Sequence, residues 1–181
     1  MPASSLSTTW GTTAAERARP YPCDGSIPTP DAVLHRGVTV TAPAPAVVRW
    51  LCQLRAAPYS YDWIDNRGRA SPRELTAGLE HLAVGQDVMG LFSLVAFATD
   101  DHLTIRIKPG TSGQRLFGDV AGTYRIVPEA GGACRLLVKL VVRYPPGLRG
   151  SVMRVLLPWG DLVMMRRQLL NLKGLAERSA Q

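Results

Sequence analysis

Four stretches in the second half of the chain are rich in β-branched and aromatic residues, which favour strands. Within one of them Leu103, Ile105 and Ile107 alternate with polar neighbours, the pattern of a strand with a single buried face. Since the gaps between the stretches are short, the pattern predicts an antiparallel meander. Its strands are expected at 88–99, 103–108, 114–127 and 134–144.

In the last 35 residues the apolar positions repeat with the period of a helix instead of that of a strand. Apolar residues recur there at helical spacing, which predicts an amphipathic helix of about 20 residues, long enough to cross a sheet. Pro158 is expected to start this helix, or to kink it after a shorter helix over 150–157. The apolar positions are Leu162, Met165, Leu169, Leu172 and Ala176.

Ahead of the meander, Val38 and Val40 alternate with polar neighbours and predict a first strand over 35–41. A helix over 45–54 should follow, because Pro45 is compatible with a first helical turn. Two further short helical segments are expected, at 61–65 and 72–79, the second with Ser71 as its N-cap.

Residues 1–33 are rich in Ser, Thr, Ala and Pro, and their prolines exclude a long helix. We interpret them as an N-terminal arm, either extended and pinned to the domain by Trp10 and Tyr21 or a disordered tail. The domain proper is expected to cover 34–178.

This order of elements predicts an α+β fold in which a curved antiparallel sheet wraps around one long C-terminal helix, with short helices after the first strand. A single helix covers only part of the concave face of such a sheet. The remaining space is covered by the short helices or left as a cavity, which is a common kind of small-molecule site.

Composition and charge narrow the function classes. The chain has 181 residues, 46% of them hydrophobic and 19% charged, which is globular composition. The excess of 21 Lys and Arg over 14 Asp and Glu gives a net charge of +7 and allows an acidic partner. Much of that excess falls on alternating strand positions and on the polar face of the last helix, where solvation explains it. We therefore expect neither nucleic-acid binding nor stable membrane insertion.

The chain carries none of the usual cofactor or hydrolase motifs, such as GxGxxG, a Walker loop, HExxH or GxSxG. Its three histidines and three cysteines lack metal-ligand spacing, so no metal and no cofactor is expected. The N-terminus lacks the basic and apolar regions of a secretory signal. We expect a cytoplasmic protein with reduced cysteines, either monomeric or homodimeric.

Particular strings of this sequence resemble the START-like superfamily, also called SRPBCC or polyketide cyclase/dehydrase-like, which has the helix-grip fold. VTVTAPAPAVVRWLCQL is similar to that family's first strand and helix, and YSYDWIDNRGRAS to a signature of one bacterial subfamily. The resemblance covers about residues 34–178 and implies the helix-grip fold. It leaves the function open, because the superfamily includes lipid carriers, ligand sensors, self-resistance proteins and cyclases. The chain departs from the subfamily at 55–58, where Pro58 stiffens the entry to the signature.

The densest polar and aromatic cluster spans 59–67. Tyr61, Asp62 and Asp65 are the candidate catalytic residues, because a cyclase must move a proton at an enolisable carbon. The competing interpretation has the acids capping short helices or pairing with Arg67 or Arg69. Candidate ligand-binding residues are the aromatic, methionine and strand-borne arginine side chains that could line the cavity: Tyr59, Trp63, Phe92, Phe97, Arg106, Tyr124, Trp159 and Met165.

Two functions therefore stay open. The first is the binding of a hydrophobic small molecule, such as a lipid, a polyketide or an aromatic metabolite, between the sheet and the C-terminal helix. The alternative is a polyketide-type cyclase or dehydratase that uses acid–base residues in the same cavity. The sequence leaves enzymatic turnover undecided.

Overall fold

Six antiparallel strands form one curved sheet in this computed structural model, which describes residues 5–181. Their spatial order is β1-β6-β5-β4-β3-β2, so the first strand of the chain pairs with the last and the others follow as a meander. The strands are β1 (Ala32–Val40), β2 (Asp87–Val88), β3 (Phe92–Ala98), β4 (His102–Ile107), β5 (Asp119–Pro128) and β6 (Cys134–Arg143).

Within the described residues six α-helices accompany the sheet, and the last of them spans 33 residues. This helix lies against the sheet and against the helix that follows β1. The expected helix-grip fold, with its curved sheet and long C-terminal helix, is confirmed. The helices are α1 (Leu6–Thr9), α2 (Ala14–Arg17), α3 (Ala44–Cys52), α4 (Asp62–Asp65), α5 (Ser112–Phe117) and α6 (Gly147–Ser179).

The inner face of the sheet, which faces α6, carries the apolar half of each alternating strand. From β6 the side chains of Leu136, Val138 and Val142 are buried in the main core. From α6, Leu169 and Leu172 are buried in the same core. The apolar face of the helix, with its period of 3.6 residues, therefore packs on the apolar face of the strands, with their period of two. Burial of these two faces against each other is what holds the helix on the sheet.

The arm covers the part of the outer face formed by β5 and β6. Because β1 begins at Ala32, the described part of the arm is residues 5–31. Tyr21, Cys23 and Ile27 pack there on Leu137 and Val141 as a second, smaller core. These two β6 residues lie on the side of the strand opposite the main core, where solvent would otherwise meet apolar surface. The first four residues of the expected arm lie outside the described part of the chain.

Charged side chains of the strands hold the arm in place. Arg135 donates to Glu16 Oε1 at 2.7 Å and to the Gly11 carbonyl oxygen at 2.6 Å. Lys139 pairs with Asp24 in the same region. These cations, expected on a solvated face, are instead partly covered by the arm.

The C-terminal helix runs from Gly147 through Pro158 as one element, so the predicted start at Pro158 and the separate shorter helix before it are both wrong. Pro158 lacks the N–H that would bond Arg154, which normally kinks or ends a helix. Here Pro158 is buried, and Leu162 and Met165 in the following turns bury their side chains too. Tertiary packing of the helix therefore overrides the local signal.

The fifth strand begins later than expected. Residues 114–117, predicted as strand, belong to α5, where Thr111 Oγ1 accepts from the Gln114 N–H at 3.3 Å as an N-cap. Gly118, at φ +88°, ends this helix and turns the chain into β5. The apolar pair at 116–117 next to a strand produced the wrong prediction.

The helix predicted at 72–79 is absent from the structure, which has bends and turns there. Ser71 does not cap a helix, because its N–H and Oγ–H both donate to the Asp62 carboxylate. Gln53 Nε2 donates to the Thr76 carbonyl oxygen, and the Thr76 N–H donates to Gln53 Oε1. Long-range hydrogen bonds from these two side chains replace the local helical ones.

Candidate functional site

A cavity of about 590 Å³ lies between the inner face of the sheet and the first two-thirds of α6. The loop at 58–65 and the β2–β3 turn close its other sides. Most of its lining is apolar. The lining residues outside α6 are Pro58, Ser60, Ile64, Asp65, Met89, Leu91, Phe92, Ile105, Ile107, Phe117, Val120, Tyr124, Leu140 and Val142, and those of α6 are Met153, Leu156, Leu157, Gly160, Asp161, Met164, Met165 and Gln168.

Two features of the lining suit it to a variable apolar ligand. Four methionines contribute, and their unbranched, polarisable side chains adapt to different shapes. Gly160 leaves room beside the helix, since a Cβ added there would meet no atom within 4 Å. The remaining volume is thus not filled by neighbouring side chains.

Tyr124 and Gln168 form a buried polar pair on opposite walls, one on β5 and the other on α6. The Tyr124 hydroxyl donates to Gln168 Oε1 at 2.6 Å, and Gln168 Nε2 donates to the Pro58 carbonyl oxygen at 2.6 Å. Burial raises the pKa of Tyr124 well above its ordinary value, so its hydroxyl stays protonated. The chain of bonds fixes both side chains and ties the loop at Pro58 to α6.

A second polar group, the Asp161 carboxylate, is paired with Arg36 from β1. Arg36 is fully buried, and its Nη2 donates to Asp161 Oδ2 at 2.7 Å and to the carbonyl oxygens of Ser7 and Pro158 at 2.8 and 3.2 Å. Burial raises the pKa of Asp161 to about 6, against the lowering effect of the Arg36 charge and hydrogen bond. The cavity therefore contains a carboxyl group that titrates near neutral pH.

The rim of the cavity is formed by Ser60 and by α4. Ser60 Oγ donates to the Met164 carbonyl oxygen at 3.1 Å, which fastens the rim to α6. Burial is the main cause that raises the pKa of Asp65, and the nearby Asp62 charge adds to it. Ile64 and Asp65 line the cavity, whereas the preceding residue, Trp63, is 76% exposed.

Of the three candidate catalytic residues, the structure brings only Asp65 to the cavity. Asp62 accepts two hydrogen bonds from Ser71, so it pairs locally, with a partner other than the two arginines considered above. Tyr61 precedes α4 as its N-terminal flanking residue, and the Arg167 guanidinium lies over its ring. Neither Tyr61 nor Asp62 is part of the lining.

Among the candidate ligand-binding residues, Phe92, Tyr124 and Met165 line the cavity. Tyr59 is buried in the main core, where its ring meets Trp50 edge-on at 6.1 Å between centroids. The remaining four lie away from the lining, the three aromatic ones substantially exposed and Arg106 paired with an acid on the next strand: Trp63, Phe97, Trp159 and Arg106.

Three polar residues of the site were missed by the sequence analysis, although the pattern carries a signal for each. Arg36 follows Leu34 and precedes Val38 on the inner side of β1, so the alternation places a charge in the core. Asp161 and Gln168 are seven residues apart on α6, and the spacing of i, i+4 and i+7 puts them on one face with Met165. Polar residues at buried positions of an apolar face are the informative exceptions.

No group of three or more His, Cys, Asp or Glu side chains in residues 5–181 is placed to hold a metal ion. Across the same residues, no helix has the length and apolar character that a membrane-spanning segment requires.

Comparison with known proteins supports the fold. No protein-family model matches this chain, and no curated protein matches it. Among solved structures, the hypothetical protein jhp0584 of Helicobacter pylori has a TM-score of 0.57 at 14% identity, over 88% of this chain and 96% of that one. Protein MLL2253 of Mesorhizobium loti has a TM-score of 0.54 at 12% identity, over 82% and 99%. A Thermobifida fusca protein has a TM-score of 0.53 at 17% identity, over 81% and 93%. At these identities the likeness concerns the fold alone.

Proposed function

We propose that this protein binds a hydrophobic small molecule in the cavity between the sheet and α6. The observation that carries the proposal is the cavity itself: about 590 Å³ of space with a mainly apolar lining. Small-molecule sites typically enclose roughly 300–1,000 Å³ and combine apolar walls with a few fixed polar groups. A lipid, a polyketide or an aromatic metabolite is the class of ligand that such walls accept.

The energetics favour a binding role over simple packing. Apolar side chains that border unfilled space lose the contacts that a close-packed core provides. Strand residues such as Ile105 and Ile107 lie at this border, on well-ordered alternating positions. A ligand that fills the space would regain those contacts and remove its own apolar surface from water.

We also propose that the chain is a START-like protein of the bacterial subfamily whose signature its YSYDWIDNRGRAS string resembles. The helix-grip fold supports this assignment at the level of architecture. Of the predicted ligand-binding residues, the proposal relies on Phe92, Tyr124 and Met165, which three separate elements bring to the lining.

Ligand binding can be tested with a larger side chain at one lining residue, Gly160. Gly160→Leu places an isobutyl group in the open space beside α6 without a clash at Cβ. It also replaces a residue of low helix propensity, so the variant should fold. We expect the affinity for an uncharged fluorescent apolar probe, N-phenyl-1-naphthylamine, to fall about tenfold, measured by titration together with native mass spectrometry of the purified protein.

Gly174→Leu is the matched control, because it adds the same side chain to the same helix away from the cavity. A Cβ at Gly174 meets only the mobile end of Arg178, at 3.4 Å. This variant should bind the probe as the unmodified protein does. Equal probe affinity in all three proteins would contradict a ligand site in the cavity.

A specific observation also supports the alternative function, a cyclase or dehydratase. Asp65 and Asp161 both border the cavity, and burial raises the pKa of each carboxyl. A carboxylate with a pKa of about 6 is suited to abstract a proton next to a carbonyl at neutral pH. Tyr61 and Asp62 would then have no direct contact with the substrate.

The enzymatic alternative can be tested with a β-diketone probe in deuterated buffer. We expect the protein to accelerate hydrogen exchange at the central carbon, followed by NMR, and Asp161→Asn to lower that rate by about a hundredfold. Asp62→Asn serves as the control, since Asp62 lies outside the lining. Hydrogen exchange no faster with the protein than in buffer alone would exclude the enzymatic alternative, and the binding function would remain the proposal.

A further inference from the structure

The polar groups of the cavity can be assigned as donors or acceptors from their bonds within the protein. The Tyr124 hydroxyl hydrogen is used by Gln168, and the Ser60 hydroxyl hydrogen by the Met164 carbonyl. The amide of Gln168 donates to the Pro58 carbonyl at 2.6 Å and approaches the Met89 sulfur at 3.2 Å. Every side-chain donor that borders the cavity is thus already engaged inside the protein.

The hydrogen-bond acceptors of the cavity, by contrast, can accept further hydrogen bonds. Only Oδ2 of Asp161 accepts a hydrogen bond from residues 5–181, and Oδ1 is left over on the side chain that borders the cavity. Asp65 adds a second carboxylate at the rim, and the Tyr124 oxygen keeps its lone pairs. The cavity therefore offers a ligand hydrogen-bond acceptors and no free side-chain donor.

The charges near the cavity lead to the same result. No Lys, Arg or His is found in the described lining, whereas two aspartates are. The cation paired with Asp161 is Arg36, which is not part of the lining and donates to Asp161 and to the carbonyl oxygens of Ser7, Pro158 and His35. An anionic group on a ligand would meet carboxylates without a cation to pair with, in an environment where unpaired charge is costly.

We propose that the ligand is an apolar molecule whose polar end is a hydrogen-bond donor, a hydroxyl or a protonated amine, that binds Asp161 Oδ1. The inference rests on the proposed binding function and adds the chemical class of the ligand to it. Fatty acids and other carboxylates are excluded by the same reasoning. The Arg36 pair restrains the carboxylate, since it holds Oδ2 and leaves Oδ1 without a hydrogen bond from residues 5–181.

The test uses three probes with one apolar body: 2-naphthol, 2-naphthylmethylamine and 2-naphthoate. Calorimetric titration of the full chain at pH 7.5 measures their dissociation constants. We expect the hydroxyl or the ammonium probe to bind at least about tenfold more tightly than the carboxylate. Comparison of the first two shows whether the donor is neutral or charged.

Asp161→Asn and Asp65→Asn complete the test. Asp161→Asn introduces an amide donor, so the preference over naphthoate should shrink by about tenfold. Asp65→Asn, at the partly open rim, is the safer variant for folding and should change the preference less than Asp161→Asn does. Naphthoate binding as tightly as the donors would overturn this inference while binding itself stands. Binding of none of the three probes would count against the proposed function as a whole.

Discussion

The two faces of the sheet are covered in opposite ways. On the outer face, Tyr21 and Ile27 of the arm fill the surface of β5 and β6 and leave a small closed core. On the inner face, α6 packs into the main core but leaves a cavity of about 590 Å³ beside residues such as Phe92. Since both faces belong to the same strands, strand propensity cannot explain the difference. The closed face contributes packing to stability, while the open face leaves the space that the proposed ligand would fill.

Substitution of one isoleucine on each face separates these roles most strongly. Ile27 on the outer face is 1% exposed, so Ile27→Ala should lower the free energy of unfolding by about 2–4 kcal/mol. Ile64 at the cavity rim is 53% exposed, so Ile64→Ala should cost less than about 0.5 kcal/mol but weaken binding of the apolar probe. Urea denaturation and probe titration measure the two quantities. Loss of binding in folded Ile27→Ala, with none in Ile64→Ala, would reverse the comparison.

The pH dependence of stability should have opposite signs on the two faces. On the outer face, partial burial works to raise the pKa of Glu16, but hydrogen bonds from Arg135 and the Thr13 N–H hold it below its ordinary value. Glu16 therefore contributes stability above its unfolded pKa, and that contribution is lost as pH falls through the folded value. On the inner face, burial raises the pKa of Asp161 to about 6. Its contribution is complete below the unfolded value of about 4 and is lost as pH rises through 6.

Urea unfolding between pH 3 and 7 tests this expectation, with an effect smaller than that of Ile27→Ala. Relative to the unmodified protein, Glu16→Gln should weaken the loss of stability toward acid pH. Asp161→Asn should remove a loss of stability that occurs between pH 4 and 6. The same slope change in both variants would show that the two carboxyls do not differ as their surroundings indicate.

The smallest expected effect comes from removal of one hydroxyl on each face. Tyr124→Phe frees Gln168 Oε1 inside the cavity wall, and Tyr21→Phe frees the Glu16 carbonyl, to which the Tyr21 hydroxyl donates at 3.1 Å. Each should cost about 0.5–1.5 kcal/mol. Only Tyr124→Phe should also change the affinity for 2-naphthol, because only Tyr124 borders the cavity. An equal change in both variants would contradict the separation of the two faces.

The sequence predicted the fold well because its patterns are local. The alternation around Ile105 and the helical spacing from Leu162 to Ala176 each report which face is buried, and the structure agrees. Errors arose where long-range bonds decide the conformation. Ser71 bonds Asp62 instead of capping a helix, and a capped α5 replaces the predicted start of β5.

The site was harder to predict for a related reason. Which apolar residues border empty space depends on the gap between α6 and the sheet, and no periodicity reports that gap. The polar end of the cavity depends on the ion pair between Arg36 and Asp161, which are 125 residues apart in the sequence. Each is visible as a polar residue on an apolar face, but their contact needs the three-dimensional fold. Of the dense cluster at 59–67, only Ser60, Ile64 and Asp65 line the cavity.

Gly160 has a consequence for how such a protein could diversify. Gly160 lines the cavity, and a Cβ added there would meet no atom within 4 Å. One nucleotide change converts a glycine codon to alanine or valine, so under the proposed binding function single genetic steps would reduce the ligand space. Selection for a new ligand would then begin at this helix position, well before the fold itself had to change.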